Sequence, residues 1–142
     1  MKRLHGIVQG GKSDANRWLS RFAGVYASWL GQEIFPGSLN IDTGSRFDWH
    51  ASDLLPYRRR FSLTPHGGER DLFIVPCTIV TPGKQPCWLW TTTTAADGRI
   101  DPNVVELIAT VSLREKLGLA DGTEIEVEYP KEWANKAPEA TW

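Results

Sequence analysis

The sequence predicts a mainly β protein, folded as one small closed or partly closed β-barrel of six or seven strands. Its 142 residues, of which 41% are hydrophobic and 23% charged, suffice for a single packed core. Six or seven short apolar stretches are separated by turns rich in glycine and proline. Only one long and one short helical pattern occur, so strands and helices do not alternate as they do in a Rossmann-like sheet.

The first 31 residues predict a short strand followed by the longest helix of the chain. Residues 4–9 are mostly apolar and favour a strand, which the segment 10–14 interrupts. Asp14 is a suitable N-cap, and Gly31 is a suitable glycine after the last helical turn. Between them runs an apolar stripe at helical spacing, which is more typical of a packed core than of a cofactor site. The stripe consists of Trp18, Leu19, Phe22, Val25, Tyr26, Trp29 and Leu30.

The middle of the chain predicts five short strands connected by turns. Pro76 lies within the third of them and cannot donate a ladder hydrogen bond, so we expect an edge position or a bulge there. The segment 96–98, Ala-Asp-Gly, is expected to turn after the fourth strand. The five strands are predicted at 39–43, 58–64, 71–81, 87–94 and 104–109.

The last part of the chain predicts a short helix and an amphipathic strand. Ser112 and Glu115 have the spacing of a capping box, and Gly118 is expected to end the helix. Residues 123–129 alternate strictly between polar and apolar, which is typical of a half-buried strand. The residues expected to face inward are Ile125, Val127 and Tyr129.

Composition excludes several classes of protein. Two cysteines and three scattered histidines predict neither a disulfide framework nor a transition-metal site. The net charge of -1 gives no reason to expect nucleic-acid binding, and no apolar run approaches the roughly 20 residues that span a membrane. We therefore expect a soluble, cytoplasmic protein with one domain over residues 1–130. Residues 131–142 are expected to form a loose tail, from which Trp133 and Trp142 could dock.

The charges are nonetheless unevenly distributed along the chain. Residues 1–60 hold nine basic and five acidic side chains, whereas residues 106–142 hold four basic and eight acidic ones. The basic excess could receive an anionic ligand, although charges scattered over a solvated surface would give the same counts.

The loop between the first strand and the long helix is the first candidate binding site. Its small residues let backbone amides approach a phosphate, and Lys12 and Arg17 could neutralise phosphate oxygens. The segment has no P-loop motif, so a plain strand-to-helix connection is the competing interpretation. The candidate residues are Gly11, Lys12, Ser13, Asp14, Ala15, Asn16 and Arg17.

The Pro36-Gly37 turn is the second candidate, because it places Ser38 and Asn40 two residues apart at the start of a strand. Side chains at positions i and i+2 of a strand point to the same side. A hydroxyl and an amide carbonyl are hard oxygen donors of the kind that Mg²⁺ accepts alongside phosphates and water. Turn capping by both residues is the competing interpretation.

Glu106 is a further candidate, because a carboxylate within the otherwise apolar strand 104–109 must face solvent, a partner or a ligand. The threonine run 91–94 suits a β-strand first and a hydroxyl-lined pocket second. Free amides at the capping box of Ser112 could bind either the serine hydroxyl or an anion.

Taken in order, these segments resemble the CTP-dependent riboflavin kinase family over roughly residues 4–129. The resemblance rests on the glycine-containing loop, on PGSLN at 36–40, and on VELIATVSLREKLGLADG at 105–122. The family's usual forms are a GxGE-like loop, a PGTLN motif, and a block of the type E-[IL]-I-A-x-x-x-L-R-x-x-x-x-L-x-D-G. The last match is the longest, and the ordered set is more specific than any of its members.

The resemblance implies a cradle-loop barrel that transfers a phosphoryl group from CTP to the riboflavin 5′-hydroxyl and produces FMN. Such a reaction depends mostly on positioning and charge stabilisation, which a small fold can supply. Trp88 or Trp90 could stack on the isoalloxazine ring, with a core role as the competing interpretation. By resemblance, residues 11–17 would hold the CTP phosphates, Ser38 and Asn40 would ligate Mg²⁺, Thr93 and Glu106 would contact the flavin, and Val111, Ser112, Leu113 and Arg114 would border the cytidine.

The sequence also departs from the family's pattern. Ser13 replaces the second loop glycine, Asp14 replaces a glutamate, and Ser38 replaces a threonine while keeping the oxygen ligand. Asp14 is the one candidate for a general base. These departures leave open a non-catalytic nucleotide- or flavin-binding module. A swapped-hairpin-like DNA-binding regulator is a third possibility, but it predicts a basic surface, and the acidic segment 106–142 argues against it.

Overall fold

Seven antiparallel strands form the framework of the protein, in a computed structural model that describes residues 1–10, 15–98 and 103–135. The predicted strand number is therefore confirmed, with boundaries that shift by up to two residues at most ends. The strands are β1 (Lys2–Gln9), β2 (Leu39–Asp42), β3 (Arg59–Ser62), β4 (Asp71–Thr81), β5 (Gln85–Thr92), β6 (Val104–Ile108) and β7 (Glu124–Tyr129).

Six of these strands close into a barrel. They follow the order β4, β5, β6, β2, β1 and β7, and β7 pairs back with β4. Strand β3 pairs with β4 and lies outside the ring. Closure removes the free edges that an open sheet of these six strands would expose. The predicted barrel is thus confirmed in its closed form.

The prediction of a single long N-terminal helix is wrong. The segment forms two short helices, α1 (Ala15–Arg21) and α2 (Ala23–Leu30). Phe22 separates them, because its φ of -110° and ψ of 25° lie outside the helical region. Gly24, a weak helix former, follows directly after this break. The predicted end is confirmed: Gly31 has a φ of 73° and donates its N–H to the carbonyl of Ala27.

Two further helices follow later in the chain, α3 (Thr93–Gly98) and α4 (Leu113–Leu117). Helix α3 was not predicted, since we expected a strand up to residue 94 and then a turn. The hydroxyl of Thr92 accepts the N–H of Ala95, which ends the strand and starts the helix. Helix α4 is the expected short late helix: Ser112 Oγ accepts the N–H of Glu115, and Gly118 ends it with a φ of 63°.

Pro76 lies at the point along β4 where the pairing partner on one edge changes from β3 to β7. Strand β3 pairs with β4 up to Ile74, and β7 pairs with it from Thr78 onwards. The carbonyl of Pro76 accepts the N–H of Lys131 in the gap between them. The proline therefore lies at a local edge, where its missing N–H costs no ladder hydrogen bond.

Two apolar clusters stabilise the fold. The larger fills the barrel interior with alternate strand residues, among them Cys77 and Cys87, whose sulfurs are 3.3 Å apart. The second, called the outer cluster below, lies on the outer face of β4, β5 and β6 against α1, α2 and β3. It confirms the core role of the helical stripe, except that Trp18 is exposed. Its buried members are Leu19, Phe22, Tyr26, Trp29, Leu30, Phe61, Leu63, Leu72, Ile74, Trp88, Trp90 and Ile108.

The chain after β7 returns to the outer cluster. Trp133 donates its indole N–H to the carbonyl of Tyr57, and the Arg59 guanidinium lies 4.0 Å from its ring centroid. Trp133 thus docks, as expected, while Trp142 lies outside the described residues. None of the described helices is long and apolar enough to cross a membrane.

Replacing Phe61 by Ala tests whether the outer cluster is a true core. Phe61 is fully buried and stacks on Trp29 with ring centroids 4.7 Å apart. We expect the free energy of unfolding to fall by about 3–5 kcal/mol in urea titrations. Leu55→Ala, at an exposed position, should change it by less than about 0.5 kcal/mol. A similar small loss for both variants would contradict this assignment.

Candidate active site

One row of residues crosses the outer face of the sheet and carries most of the candidate site. In the strand register, Gln9 pairs with Asn40, Asn40 with Glu106, and Glu106 with Trp90. The row continues through Ile74 to Arg59. We call it the cross-barrel row. It brings together side chains that lie up to 97 positions apart in the sequence.

Three of the predicted site residues meet at the centre of this row. Ser38 lies just before β2 and donates its hydroxyl to Glu106 Oε1 at 3.2 Å. Asn40 lies directly opposite Glu106. A hydroxyl, an amide and a carboxylate therefore converge on the outside of the barrel. Their oxygens are of the kind that hard cations such as Mg²⁺ prefer.

Asn40 also has an unusual hydrogen-bonding state. Its side chain is only 8% exposed, and its Oδ1 has no hydrogen-bond partner among the described residues. An unpaired buried acceptor costs roughly 1–3 kcal/mol, so native proteins keep few of them. In the described part of the chain the other such atoms are Trp90 Nε1 and Arg59 Nη1, and both belong to the cross-barrel row. Asn40 and Trp90, which carry two of these three atoms, are the strand neighbours of Glu106 on either side.

A recess of about 80 Å³ lies next to Ser38, the hydrogen-bond partner of Glu106, and we call it the Ser38 recess. It brings the Pro-Gly turn and the capping-box segment together, although these segments lie more than 70 positions apart in the sequence. Val111, the first residue of that segment, is half-buried against the barrel core. The lining consists of Phe35, Gly37, Ser38, Leu39, Ser112, Leu113 and Arg114.

Arg114 connects this recess to the start of the glycine loop. Its guanidinium donates to the carbonyl of Gln9 at 3.2 Å and to Asp121 Oδ1 at 2.8 Å. A Cβ at Gly10 would lie 3.0 Å from Asp121 Oδ2, so the chain passes close to this ion pair. Asp121 was not singled out from the sequence. The sequence feature that could have indicated it is the Asp-Gly pair at the end of the block 105–122.

A larger cavity of about 280 Å³ lies between α1, α2 and the outer face of β4 and β5, and it is lined by Trp90, the strand neighbour of Glu106 on the side away from Asn40. We call it the aromatic cavity. Of its lining, Trp18, Phe22 and Tyr26 were expected in the core, and the space beside them was not predicted from the sequence. Burial raises the pKa of the Tyr26 hydroxyl, which therefore stays protonated. The lining includes Trp18, Arg21, Phe22, Tyr26, Arg70, Leu72, Trp90 and Thr92.

The structure says less about the binding functions of the other predicted site residues. Gly11, Lys12, Ser13 and Asp14 lie outside the described residues, so their assignments stay predictions. Asn16 and Arg17 are exposed on α1, and the Arg17 guanidinium lies 5.8 Å from the Trp18 ring centroid. Thr93 begins α3, whereas its neighbour Thr92 lines the aromatic cavity. Of the two tryptophans, Trp90 lines that cavity and Trp88 is buried in the outer cluster.

The protein is a closed antiparallel barrel, and the oxygen-bearing side chains of Ser38, Asn40 and Glu106 converge on its outer surface. The family model CTP-dep_RFKase, with the description "Domain of unknown function DUF120", matches residues 8–129. The chain therefore belongs to the CTP-dependent riboflavin kinase family.

Two relatives named riboflavin kinase support the assignment to this family. The chain is similar to a riboflavin kinase of Staphylothermus marinus, with 25% identity over 134 residues that cover 88% of this chain and 89% of that protein. It is also similar to a riboflavin kinase of Cenarchaeum symbiosum, with 29% identity over 135 residues that cover 91% of this chain and 67% of that protein.

Replacing Asn40 by the similarly sized Leu tests whether the amide serves folding. Because Oδ1 is unpaired, we expect the free energy of unfolding to stay unchanged or to rise by about 1 kcal/mol. Ser112→Ala, which removes a helix cap, should instead cost about 1 kcal/mol. Urea denaturation measures both. A clear loss of stability in Asn40→Leu would show that the amide has a structural function.

Proposed function

We propose that this protein transfers the terminal phosphoryl group of CTP to the riboflavin 5′-hydroxyl, in a Mg²⁺-dependent reaction that yields FMN. The convergence of Ser38, Asn40 and Glu106 between two recesses carries this proposal. A kinase for two small substrates must hold a donor and an acceptor on either side of the reacting phosphate. Family membership supports the same reaction.

The aromatic cavity is the proposed site of the isoalloxazine ring. It is lined mainly by apolar and aromatic side chains, as binding sites for flat organic ligands are. Trp18 and Trp90 are among the lining residues, and an aromatic pair in offset or edge geometry contributes beyond its buried area. The unpaired indole N–H of Trp90 is suited to a carbonyl oxygen of the flavin.

The Ser38 recess is the proposed site of the nucleotide. Residues 11–17 would hold the phosphates, and the segment 111–114 would border the cytidine. The contact of Arg114 with Gln9 supports this arrangement, because Gln9 is the last residue of β1, immediately before the glycine loop. The recess is thereby tied to the end of β1 that precedes the loop in the sequence.

Ser38 and Asn40 are the proposed Mg²⁺ ligands, and the unpaired Oδ1 of Asn40 fits that function. When bound, the ion would neutralise charge on the phosphate oxygens. Glu106, beside Ser38, would accept a hydrogen bond from the riboflavin 5′-hydroxyl and orient its oxygen towards the terminal phosphorus. The new P–O bond then forms while the bond to the β-phosphate oxygen breaks, CDP leaves, and the hydroxyl proton is released.

The reaction itself can be tested directly. The protein is incubated with riboflavin, Mg²⁺ and each of the four nucleoside triphosphates, and FMN is measured by chromatography. We expect FMN to form preferentially from CTP and to disappear when the metal is chelated. Folded protein that makes no FMN with any donor would contradict the proposal. Ligand binding without turnover would then favour a non-catalytic binding module.

Asn40→Ala tests the proposed metal ligand. We expect kcat to fall about 100-fold or more, with a higher Mg²⁺ concentration needed for half-maximal activity, because one oxygen ligand is lost. Circular dichroism should show an unchanged fold. Asn103→Ala removes an amide just before β6 and should retain full activity. Activity of Asn40→Ala within two-fold of the wild type would remove the residue from the site.

Glu106→Gln tests the orienting carboxylate. We expect kcat to fall by roughly 10- to 100-fold, since the acceptor hydroxyl loses its best hydrogen-bond partner. The KM for riboflavin should rise, while the KM for CTP should stay within two-fold. Glu126→Gln, which affects an exposed ion pair with Arg3, serves as the matched control. Equal changes in both KM values would argue against a specific contact with the flavin.

A further inference from the structure

Within residues 1–10, 15–98 and 103–135, exposed aromatic side chains are rare and coincide with the two recesses. Among the described residues, the large apolar side chains that are exposed are Met1, Ile7, Trp18, Phe35 and Leu55. Only Trp18, 39% exposed, and Phe35, 40% exposed, are aromatic. Trp18 lines the aromatic cavity, and Phe35 lines the Ser38 recess. Each recess thus presents one aromatic ring to solvent.

Phe35 is exposed although its backbone and ring are held in place. Its N–H donates to the carbonyl of Ala109 at 2.9 Å, and its carbonyl accepts the N–H of Gly37 at 2.8 Å. A Cβ on Gly37 would lie 2.8 Å from Phe35 Cε2, so the ring packs directly against the glycine backbone. The ring is therefore pre-positioned, which lowers the entropic cost of binding a ligand against it.

The surroundings of Phe35 indicate what kind of ligand it would meet. The ring shares the recess with the hydroxyls of Ser38 and Ser112 and with the side chain of Arg114. An aromatic ring beside hydroxyl-bearing and cationic side chains suits a planar, polar ring attached to an anionic group. The flavin is proposed on the opposite side of Glu106, which leaves the nucleotide as the matching ligand.

We propose that Phe35 is the stacking platform for the nucleobase of the phosphoryl donor. The inference rests on the proposed function, because it takes the Ser38 recess as the nucleotide site. Every base has a π-face, so stacking on Phe35 would supply affinity without choosing the base. The choice of cytosine would then depend on hydrogen bonds to its edge, and the loss of Phe35 should weaken all accepted nucleotides by a similar factor.

Steady-state kinetics of Phe35→Leu and Trp18→Leu test the proposal. For Phe35→Leu we expect the KM for CTP to rise about ten-fold, since base stacking is lost, while kcat and the KM for riboflavin stay within two-fold. Phe35→Tyr keeps the ring and should resemble the wild type. Trp18→Leu should give the opposite pattern, with a raised KM for riboflavin only. Leu55→Ala, exposed outside both recesses, should change neither value.

Calorimetric titration with CTP and Mg²⁺ gives a readout that needs no turnover. Phe35→Leu should weaken CTP binding about ten-fold, and UTP binding by a similar factor where it is measurable. Unchanged binding, or an equal effect on CTP and riboflavin, would overturn the proposal, as would a wild type that binds no nucleotide. Phe35-dependent binding without FMN formation would support the platform and contradict the kinase assignment.

Discussion

The strand register of the closed barrel is the constraint on which the site depends. Side chains alternate between the two faces of a strand, so a slip of one residue would turn Asn40 and Glu106 into the barrel interior. Their neighbours Leu39, Ile41 and Leu107 are buried in the interior cluster. The apolar residues that stabilise the barrel therefore also keep the polar row outside, and core packing and site geometry are the same property of the fold.

The outer cluster gives this small barrel a second apolar surface.

The ion pairs of the surface change the interpretation of the uneven charge distribution. Several basic side chains in residues 1–60 are engaged in ion pairs with acidic side chains. Lys2 pairs with Asp53, Arg3 with Glu126, and Arg60 with Asp71. These side chains are largely exposed, where ion pairs contribute little stability. Of the three pairs, Arg3–Glu126 alone joins the basic segment 1–60 to the acidic segment 106–142. Anion binding is therefore better argued from the Ser38 recess than from net charge.

Much of the fold could be predicted because its signals are local. Alternation located β7, the capping box located α4, and a proline correctly marked a local edge in β4. The predictions failed where tertiary contacts override propensity. Phe22 breaks the long helix although the apolar period continues through it, and Thr92 starts α3 within a run of threonines that favours a strand. For the candidate site, the motifs identified Ser38, Asn40 and Glu106, whereas Asp121 and the aromatic cavity depend on contacts between distant segments.

By itself the sequence determined the residue types of the site and the elements that carry them, since turn chemistry and the two-residue period of a strand are encoded within a few neighbouring positions. Only the tertiary structure decided that Glu106 lies between Asn40 and Trp90, and that its contacts Ser38 and Trp90 line two different recesses. The physical reason is that barrel closure joins strands far apart in the chain, and the register of such pairs is selected by the whole core.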